Sequence, residues 1–268
     1  MRLGLVTYQM AQDWDLDTCI EMCAKTGFDG LELRTTHAHG VEPSLSAKER
    51  AEVKRKFDDS PVMLWGLGTA CEYHSPDQDE VKRHVHLTKD FVDLGADLGA
   101  VGVKVRPNGL PEEVPVEKTL EQIGTALREC GQYAADKGQE IWLEVHGGGT
   151  SHVPHIKTIM EVCDHPQVFV CWNCNPGEVE GGSIRQNFEL VGRWVRETHI
   201  HDLYDKSYPW KELFGLLRRH EFDGMNLLEG PGSSDPERVM SYYSALYREM
   251  IRPDPYADRS AVRVSHAR

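Results

Sequence analysis

The sequence predicts an α/β protein built as a single (β/α)8 TIM barrel. Short apolar runs alternate with longer amphipathic segments through most of the 268 residues, a pattern typical of parallel βα units. Eight such units are found, and this number and the chain length both fit one barrel. The alternative is a doubly wound open sheet. The glycine-rich turn that usually follows its first strand is missing, because Thr7-Tyr8-Gln9 stands at that place.

Eight apolar runs bounded by turn residues are predicted as the strands of the barrel. In chain order they are Leu3–Thr7, Gly30–Arg34, Val62–Leu67, Ala100–Val105, Ile141–Val145, Val168–Asn173, Glu197–His201 and Met225–Glu229. An amphipathic segment follows each strand and is predicted as a helix. These helices begin near Asp15, Ser46, Pro76, Val116, His152, Ile184, Tyr208 and Pro236.

Local signals support several of these boundaries. Ser46 is followed three residues later by Glu49, which predicts a capping box at the start of the second helix. The pair Ser75-Pro76 predicts a proline at the first position of the third helix. The motifs GFDG at 27–30 and EFDG at 221–224 form a weak internal repeat, and each joins the end of a helix to a strand.

The barrel is expected to span residues 1–251 as one domain. Residues 252–268 are rich in Pro, Asp, Ser and Arg and have no apolar period, so they are predicted to be a flexible C-terminal tail. The chain has 40% apolar residues and a mean hydropathy of −0.50, so no membrane segment is expected. The start, MRLGLVTYQM, lacks the features of a secretory signal, and a cytoplasmic location is expected.

Charge and cysteine content narrow the classes of function. The chain carries 30 Lys and Arg against 43 Asp and Glu, a formal net charge of −13. Such a field repels phosphate backbones, so nucleic acid is not expected as a partner. The seven cysteines are odd in number and scattered, which predicts reduced thiols. Cys171 and Cys174 have CxxC spacing but point to opposite faces of an extended strand, so a redox or shared-metal role is not expected.

Four polar residues stand at the ends of consecutive predicted strands, namely Glu144, Asn173, His199 and Glu229. Their separations of 29, 26 and 30 residues each match one βα unit, so all four are expected around the mouth where TIM-barrel active sites lie. Any one of them alone has an ordinary alternative as a hydrogen-bonded loop residue. Together, two carboxylates, an imidazole and an amide oxygen suit a hard or borderline divalent cation with open positions for water and substrate.

Five short segments occur in a characteristic order: GFDGLEL at 27–33, LEVHG at 143–147, the valine-rich run into Trp172-Asn173, HIHD at 199–202, and Leu228-Glu229. With them the sequence resembles the xylose isomerase-like TIM barrels, also called the sugar phosphate isomerase/epimerase family. Members include D-tagatose 3-epimerase, hydroxypyruvate isomerase, inosose dehydratase and endonuclease IV. The resemblance covers the chain to about Ile251.

The resemblance implies that Glu144, Asn173, His199 and Glu229 hold one divalent metal ion. Mn2+ is the metal most often found in the epimerase-like members, and Mg2+, Co2+ or Zn2+ are alternatives. Most members have Asp at the second position, where this chain has Asn173. An amide oxygen can still coordinate but brings no charge, so weaker affinity or an altered metal preference is expected.

The function implied by the resemblance is that of a sugar isomerase or epimerase. A metal chelated by a carbonyl and an adjacent hydroxyl of the substrate acidifies the C–H between them and stabilises the enediolate that forms. Glu144 and Glu229 are expected to be catalytic as well as metal-binding, because two glutamates beside that carbon can remove and return the proton.

Five further residues are predicted to bind the substrate: His37, Lys104, Arg106, His146 and His201. Lys104 and Arg106 alternate on one face of the fourth strand, and His146 shares a face with the glutamate that ends the fifth. His37 lies in the loop after the second strand, and His201 stands where the family often has Lys. The alternative roles are ion pairs within the mouth and hydrogen bonds that order a loop.

Two roles are considered for each of several other residues and turns near the mouth. Glu32 is predicted to be buried and paired, with a supporting role at the site as the alternative. Trp65, Trp142 and Tyr73 are predicted as core residues or as a wall for a sugar ring. The turns GGGTS at 147–151 and GPGSS at 230–234 precede helices whose free backbone N–H groups can bind an anion, so a phosphorylated substrate stays open.

Three other functions are considered. The same enolisation followed by loss of a β-substituent gives a lyase or dehydratase acting on a keto-sugar. A barrel that only binds a sugar is a second alternative, and the loss of charge at Asn173 motivates it. A hydrolase like endonuclease IV is disfavoured by the net charge of −13. The expected partner is a small-molecule carbohydrate. Assembly of the chain into a homo-oligomer is an alternative to a monomer that the sequence does not decide.

Overall fold

The computed structural model describes residues 1–253 as a closed barrel of parallel strands surrounded by helices. Within this range the strands are β1 (Arg2–Val6), β2 (Gly30–Arg34), β3 (Met63–Glu72), β4 (Gly102–Arg106), β5 (Glu140–Glu144), β6 (Val168–Trp172), β7 (Val195–Ile200) and β8 (Met225–Leu228). The helices are α1 (Leu16–Thr26), α2 (Ala47–Asp58), α3 (Gln78–Leu98), α4 (Val116–Asp136), α5 (Val153–Cys163), α6 (Arg185–Val191), α7 (Trp210–Arg219) and α8 (Pro236–Met250). Each strand pairs with the next, and β8 closes on β1.

The predicted TIM barrel is confirmed. Residues 254–268, which make up most of the predicted tail, lie outside the described range. Most predicted strand ends agree with the structure within two residues, but β3 runs to Glu72, five residues past its predicted end. The polar residues there make it look like a loop in sequence. They are paired instead: the Thr69 hydroxyl donates to the carbonyl of Lys104, and the Glu72 N–H donates to His84 Nδ1.

The helix starts follow local hydrogen bonding. The capping box predicted at Ser46 and Glu49 is confirmed, since each side chain accepts from the backbone N–H of the other. The prediction that Pro76 opens the third helix is wrong. Asp77 caps α3 by accepting from the N–H of Asp79, and the Ser75 hydroxyl donates to Glu80 instead. Pro76 therefore lies outside α3, and the carboxylate of Asp77, the next residue, caps the helix.

Large rings fill the inside of the barrel below its mouth. Trp65 and Trp142 are buried and stacked, with ring centroids 5.1 Å apart. A Cβ at Gly66 would overlap the Trp142 ring, and Gly102 is similarly crowded by that ring. Tyr73 is also buried, so these aromatic residues belong to the core and do not form a wall for a sugar ring. The barrel is a packed core rather than a pore, as expected for this fold.

Two further expectations can be compared with residues 1–253. All seven cysteines lie in this range and are free thiols, as predicted. None of the helices described there combines the length and the apolar character needed to cross a bilayer.

The close approach of Gly66 to Trp142 gives a stability prediction. Gly66→Ala is expected to lower the free energy of unfolding by about 1–3 kcal/mol, because the new methyl group overlaps a ring that cannot move in a packed core. The control is Gly215→Ala in α7, where a Cβ meets no heavy atom within 4 Å. There the free energy of unfolding should stay unchanged or rise by up to about 1 kcal/mol. Denaturant unfolding followed by circular dichroism measures both, and equal stability of the two variants would contradict this packing.

Candidate metal centre and active site

The carboxyl ends of β5 to β8 bring four predicted residues to one cavity. Glu144 ends β5, Asn173 follows β6, His199 lies one residue before the end of β7, and Glu229 follows β8. All four line a cavity of about 430 Å³ at the barrel mouth. The strand ends lie at similar height because the strands are parallel and pair in chain order.

The donor atoms of these four side chains face one another. Nδ1 of His199 lies 3.5 Å from Oε1 of Glu144 and 3.7 Å from Oε2 of Glu229. This nitrogen and Oδ1 of Asn173 are both buried and have no hydrogen-bond partner within residues 1–253. A buried polar atom without a partner is costly and calls for an explanation, such as a ligand. Two carboxylates, an amide oxygen and an imidazole nitrogen at one place fit a divalent cation.

The other ring nitrogen of His199, Nε2, contacts a buried carboxylate. Nε2 lies 3.3 Å from Oε2 of Glu32, a fully buried carboxylate on β2. A carboxylate that accepts from one ring nitrogen leaves a lone pair on the other, which is the usual arrangement around a metal-binding histidine. The structure thus agrees with the prediction that Glu32 is buried and paired, and Glu32 supports the site through His199.

A second group with metal-binding chemistry lies directly below the cavity. The ligand atoms of Cys171, Glu197 and His199 are within 4.8 Å of one another, and all three residues are buried. Trp65 Nε1 donates to Oε2 of Glu197 at 2.6 Å. Burial and the charge of Glu32 raise the pKa of Glu197 well above its usual value. Cys171 and Glu197 do not line the cavity, and they form its support.

Lys104 and Glu144 form a buried ion pair at the edge of the cavity. Their Nζ and Oε2 atoms are 2.6 Å apart, and each side chain is only 4% exposed. Burial alone would raise the pKa of Glu144, but the Lys104 ammonium and His199 outweigh it and hold the pKa well below its usual range. Burial likewise disfavours the charged form of Lys104, yet Glu144 and Glu32 keep its pKa above the ordinary value. Both groups are therefore charged at neutral pH.

Arg106 and His146 belong to a connected wall of the cavity. Arg106 donates to Oε1 of Glu72 at 2.5 Å, and the amide of Asn108 donates to the same oxygen at 2.6 Å. Nδ1 of His146 lies 2.8 Å from Oδ1 of Asn108. Burial lowers the pKa of His146, so the ring is neutral at pH 7. The network fixes both predicted substrate residues in place.

The other two predicted substrate residues differ in position. His201 lines the cavity, and its ring lies between the backbone carbonyls of Glu229 and Asn173, at 3.1 and 2.9 Å. His37 is not among the cavity-lining residues. Its Nδ1 lies 2.9 Å from the hydroxyl of Thr7, so its observed contact joins the loop after β2 to the residue that follows β1.

Sequence reasoning missed several cavity residues. They are Tyr8, Gln9, Arg34 and Asp202. Arg34 is the last residue of β2, so the strand-end rule applied to Glu144 would have found it.

A buried carboxyl group behind Asn173 was missed as well. Glu178 accepts from the Tyr208 hydroxyl at 2.8 Å and from the amide of Asn175 at 3.2 Å. Burial raises the pKa of Glu178 to about 8. Nδ2 of Asn173 in turn donates to Oδ1 of Asn175 at 3.4 Å, which leaves the Asn173 oxygen free to face the site. Glu178 ends a short 3-10 helix, Pro176–Glu178, that has no apolar period in sequence, so no signal marked it.

Comparison with solved structures shows the same fold in proteins of low identity. D-psicose 3-epimerase from Clostridium cellulolyticum H10, solved with D-tagatose, is 18% identical with a TM-score of 0.81, over 94% of this chain and 100% of that one. The IolI protein with a bound zinc atom is 16% identical with a TM-score of 0.75, over 94% and 98%. The probable 3-DHS dehydratase AsbF from Bacillus anthracis is 13% identical with a TM-score of 0.73, over 92% and 99%.

Sequence comparison reaches the family but not an individual protein. No curated protein matches the chain significantly by sequence. The family model described as "Xylose isomerase-like TIM barrel" matches residues 20–250, which is most of the barrel. The chain therefore belongs to the xylose isomerase-like TIM barrel family.

Proposed function

We propose that this chain is a divalent-metal-dependent isomerase or epimerase that acts on a sugar or a sugar derivative. The observation that carries the proposal is the pair of buried, unpartnered atoms, Asn173 Oδ1 and His199 Nδ1, beside two carboxylates in one cavity. The fold is shared with a D-psicose 3-epimerase and with a zinc-containing IolI protein. A net charge of −13 supports a small-molecule substrate rather than nucleic acid.

The metal-binding residues of this proposal are Glu144, Asn173, His199 and Glu229. Mn2+ is the proposed ion, with Mg2+, Co2+ and Zn2+ as alternatives, because oxygen donors and one imidazole suit all of them. When bound, the ion supplies Lewis-acid polarisation of the substrate carbonyl, which acidifies the neighbouring C–H. Glu32 keeps the lone pair of His199 on Nδ1, the nitrogen that faces the cavity.

Glu229 is the proposed group that removes the substrate proton. Its carboxylate is 19% exposed toward the cavity, and within residues 1–253 it pairs with no Lys or Arg. Glu144 is the proposed group that returns a proton, and because its low pKa keeps the carboxylate ionised, this proton has to reach it from a neighbouring group. Lys104 Nζ, 2.6 Å from Glu144, is an adjacent proton source for it. The remaining mouth residues, Arg106, His146 and His201, are proposed to bind substrate oxygens.

A lyase is the second candidate, and the shared fold of the probable dehydratase AsbF favours keeping it. Proton removal by Glu229 is the first step in both reactions. They diverge when a β-substituent leaves instead of the proton returning. Product analysis by mass spectrometry separates the two, since a dehydration product is 18 Da lighter than its substrate whereas an isomer has the same mass.

Metal content tests the proposed centre directly. Protein purified without chelator is expected to contain about one divalent ion per chain, and Glu144→Ala is expected to lose it because a charged ligand is removed. Glu72→Ala is the control, since it removes a carboxylate from the same mouth that contacts Arg106 and Asn108 but none of the proposed ligands. Elemental mass spectrometry measures all three proteins. Absence of metal from the wild type, even after it is added back, would overturn the metal-dependent mechanism.

Solvent exchange tests the role of Glu229. In deuterated water the wild type should incorporate deuterium next to the carbonyl of a ketose substrate. Glu229→Gln should slow this incorporation by about 10²–10⁴-fold, because the amide cannot accept the proton. Nuclear magnetic resonance follows the loss of the C–H signal, and the metal content of the variant is measured in parallel. Full exchange activity in Glu229→Gln would exclude this residue as the base.

The position occupied by Asn173 gives an affinity prediction. Asn173→Asp should bind Mn2+ about tenfold or more tightly, because it adds a negative charge at a buried donor site. Asn173→Ala should weaken binding, since it removes the unpartnered oxygen. Calorimetric titration of the metal-free proteins measures the affinities. Identical affinity in all three proteins would mean that this side chain does not belong to the centre.

A further inference from the structure

Three cationic residues line the cavity on strands that precede those of the proposed metal-binding residues. Arg34 ends β2, and Lys104 and Arg106 lie on β4, whereas the proposed ligands lie on or directly after β5 to β8. Arg34 and Lys104 are both register partners of Gly68 on β3. Because Gly68 has no side chain, nothing from β3 separates the two cations. All three line the cavity.

These three cations differ in the partners they already have. Lys104 is paired with Glu144, and Arg106 is paired with Glu72. Arg34 forms no ion pair with any other residue in the described range, and one of its terminal nitrogens donates to the carbonyl of Thr35 at 2.9 Å. A guanidinium group has five donors in a fixed plane. Arg34 is therefore the one of these three cations whose charge is not already paired with a carboxylate in the described range.

The backbone of Arg34 is held on both sides by hydrogen bonds. Its N–H donates to the hydroxyl of Thr7 at 2.9 Å, and its carbonyl accepts from His39 Nε2 at 2.9 Å. His37 Nδ1 contacts the same Thr7 hydroxyl. Burial lowers the pKa of His37 to about 4, so this ring is neutral and adds no competing charge at pH 7. The arginine is thus positioned before a ligand arrives, which reduces the entropy lost on binding.

The pairing of the cavity's charges points to an anion at Arg34. Lys104 is neutralised by Glu144 and Arg106 by Glu72, whereas Arg34 lines the same cavity without a carboxylate partner in residues 1–253. The turn at 230–234 is a weaker place for an anion, because α8 after it is already capped by the carboxylate of Asp235.

We propose that the substrate carries one anionic group, a carboxylate or a phosphate, that binds to Arg34 across the cavity from the metal-binding residues. A volume of about 430 Å³ suits a single sugar unit with such a group. The inference rests on the proposed function, since that function places the reacting end of the substrate beside Glu144 and Glu229. It adds that the opposite end is charged.

Binding of three probes tests the inference without reference to turnover. D-fructose, D-fructose 6-phosphate and 5-keto-D-gluconate are titrated calorimetrically into the full chain, with and without Mn2+. At least one anionic ketose should bind about tenfold or more tightly than D-fructose, because charge-assisted hydrogen bonds to a guanidinium are stronger than neutral ones. The stronger of the two anionic probes identifies a phosphate or a carboxylate as the preferred group.

Variants of Arg34 connect the preference to this residue. Arg34→Met should reduce the preference for the anionic probe by about tenfold or more, and Arg34→Lys should keep part of it. Arg55→Met is the matched control, because Arg55 lies on α2 with an exposed side chain and its loss changes the net charge equally. The control should bind all probes like the wild type.

The outcomes separate this inference from the proposed function. Equal affinity of the wild type for all three probes, no binding of either anionic probe, or an unchanged preference in Arg34→Met overturns the inference. Deuterium exchange on a neutral ketose combined with any of these results leaves the proposed function standing. An Arg34-dependent preference without metal binding or exchange supports the anion site and rejects the isomerase mechanism.

Discussion

The buried ion pair between Lys104 and Glu144 constrains how the barrel mouth can be built. Each side chain is 4% exposed, so neither charge is stabilised by water. Removing one partner of such a pair typically costs about 3–5 kcal/mol, because the other charge is left buried and uncompensated. His199 is under the same constraint, since it lies between Glu32 and the two glutamates of the mouth. The charges of the mouth therefore depend on one another and are arranged as one unit.

This charged layer is positioned by the apolar layer beneath it. Trp65 stacks on Trp142 and at the same time donates its indole N–H to Glu197, which lies beside His199. The rings fit because Gly66 and other inward positions carry no side chain. The support of the mouth residues thus includes packing that has no chemical role of its own. A change in the apolar layer is felt at His199 through a direct chain of contacts.

The barrel and the four strand-end residues could be predicted because both follow from local periodicity and from the spacing of βα units. The rule that TIM-barrel active sites lie at the carboxyl ends of the strands was sufficient to predict the positions of Glu144 and Glu229. The support of the site could not be predicted, because its contacts join distant parts of the chain. Trp65 and Glu197 are 132 positions apart, and Glu32 and His199 are 167 apart. The start of the third helix was predicted wrongly for a local reason, because Asp77, next to Pro76, is the residue that caps the helix.

The stacked rings below the mouth also determine how molecules move in and out. Trp65 and Trp142 are at most 1% exposed, and with Met225 and Leu227 they close the lower end of the cavity throughout the part of the barrel described. Substrate and product must therefore use the same opening between the loops that follow the strands. A product therefore has to leave through this opening before the next substrate can enter. Release of the product through this opening is thus a step that the proposed reaction cannot bypass.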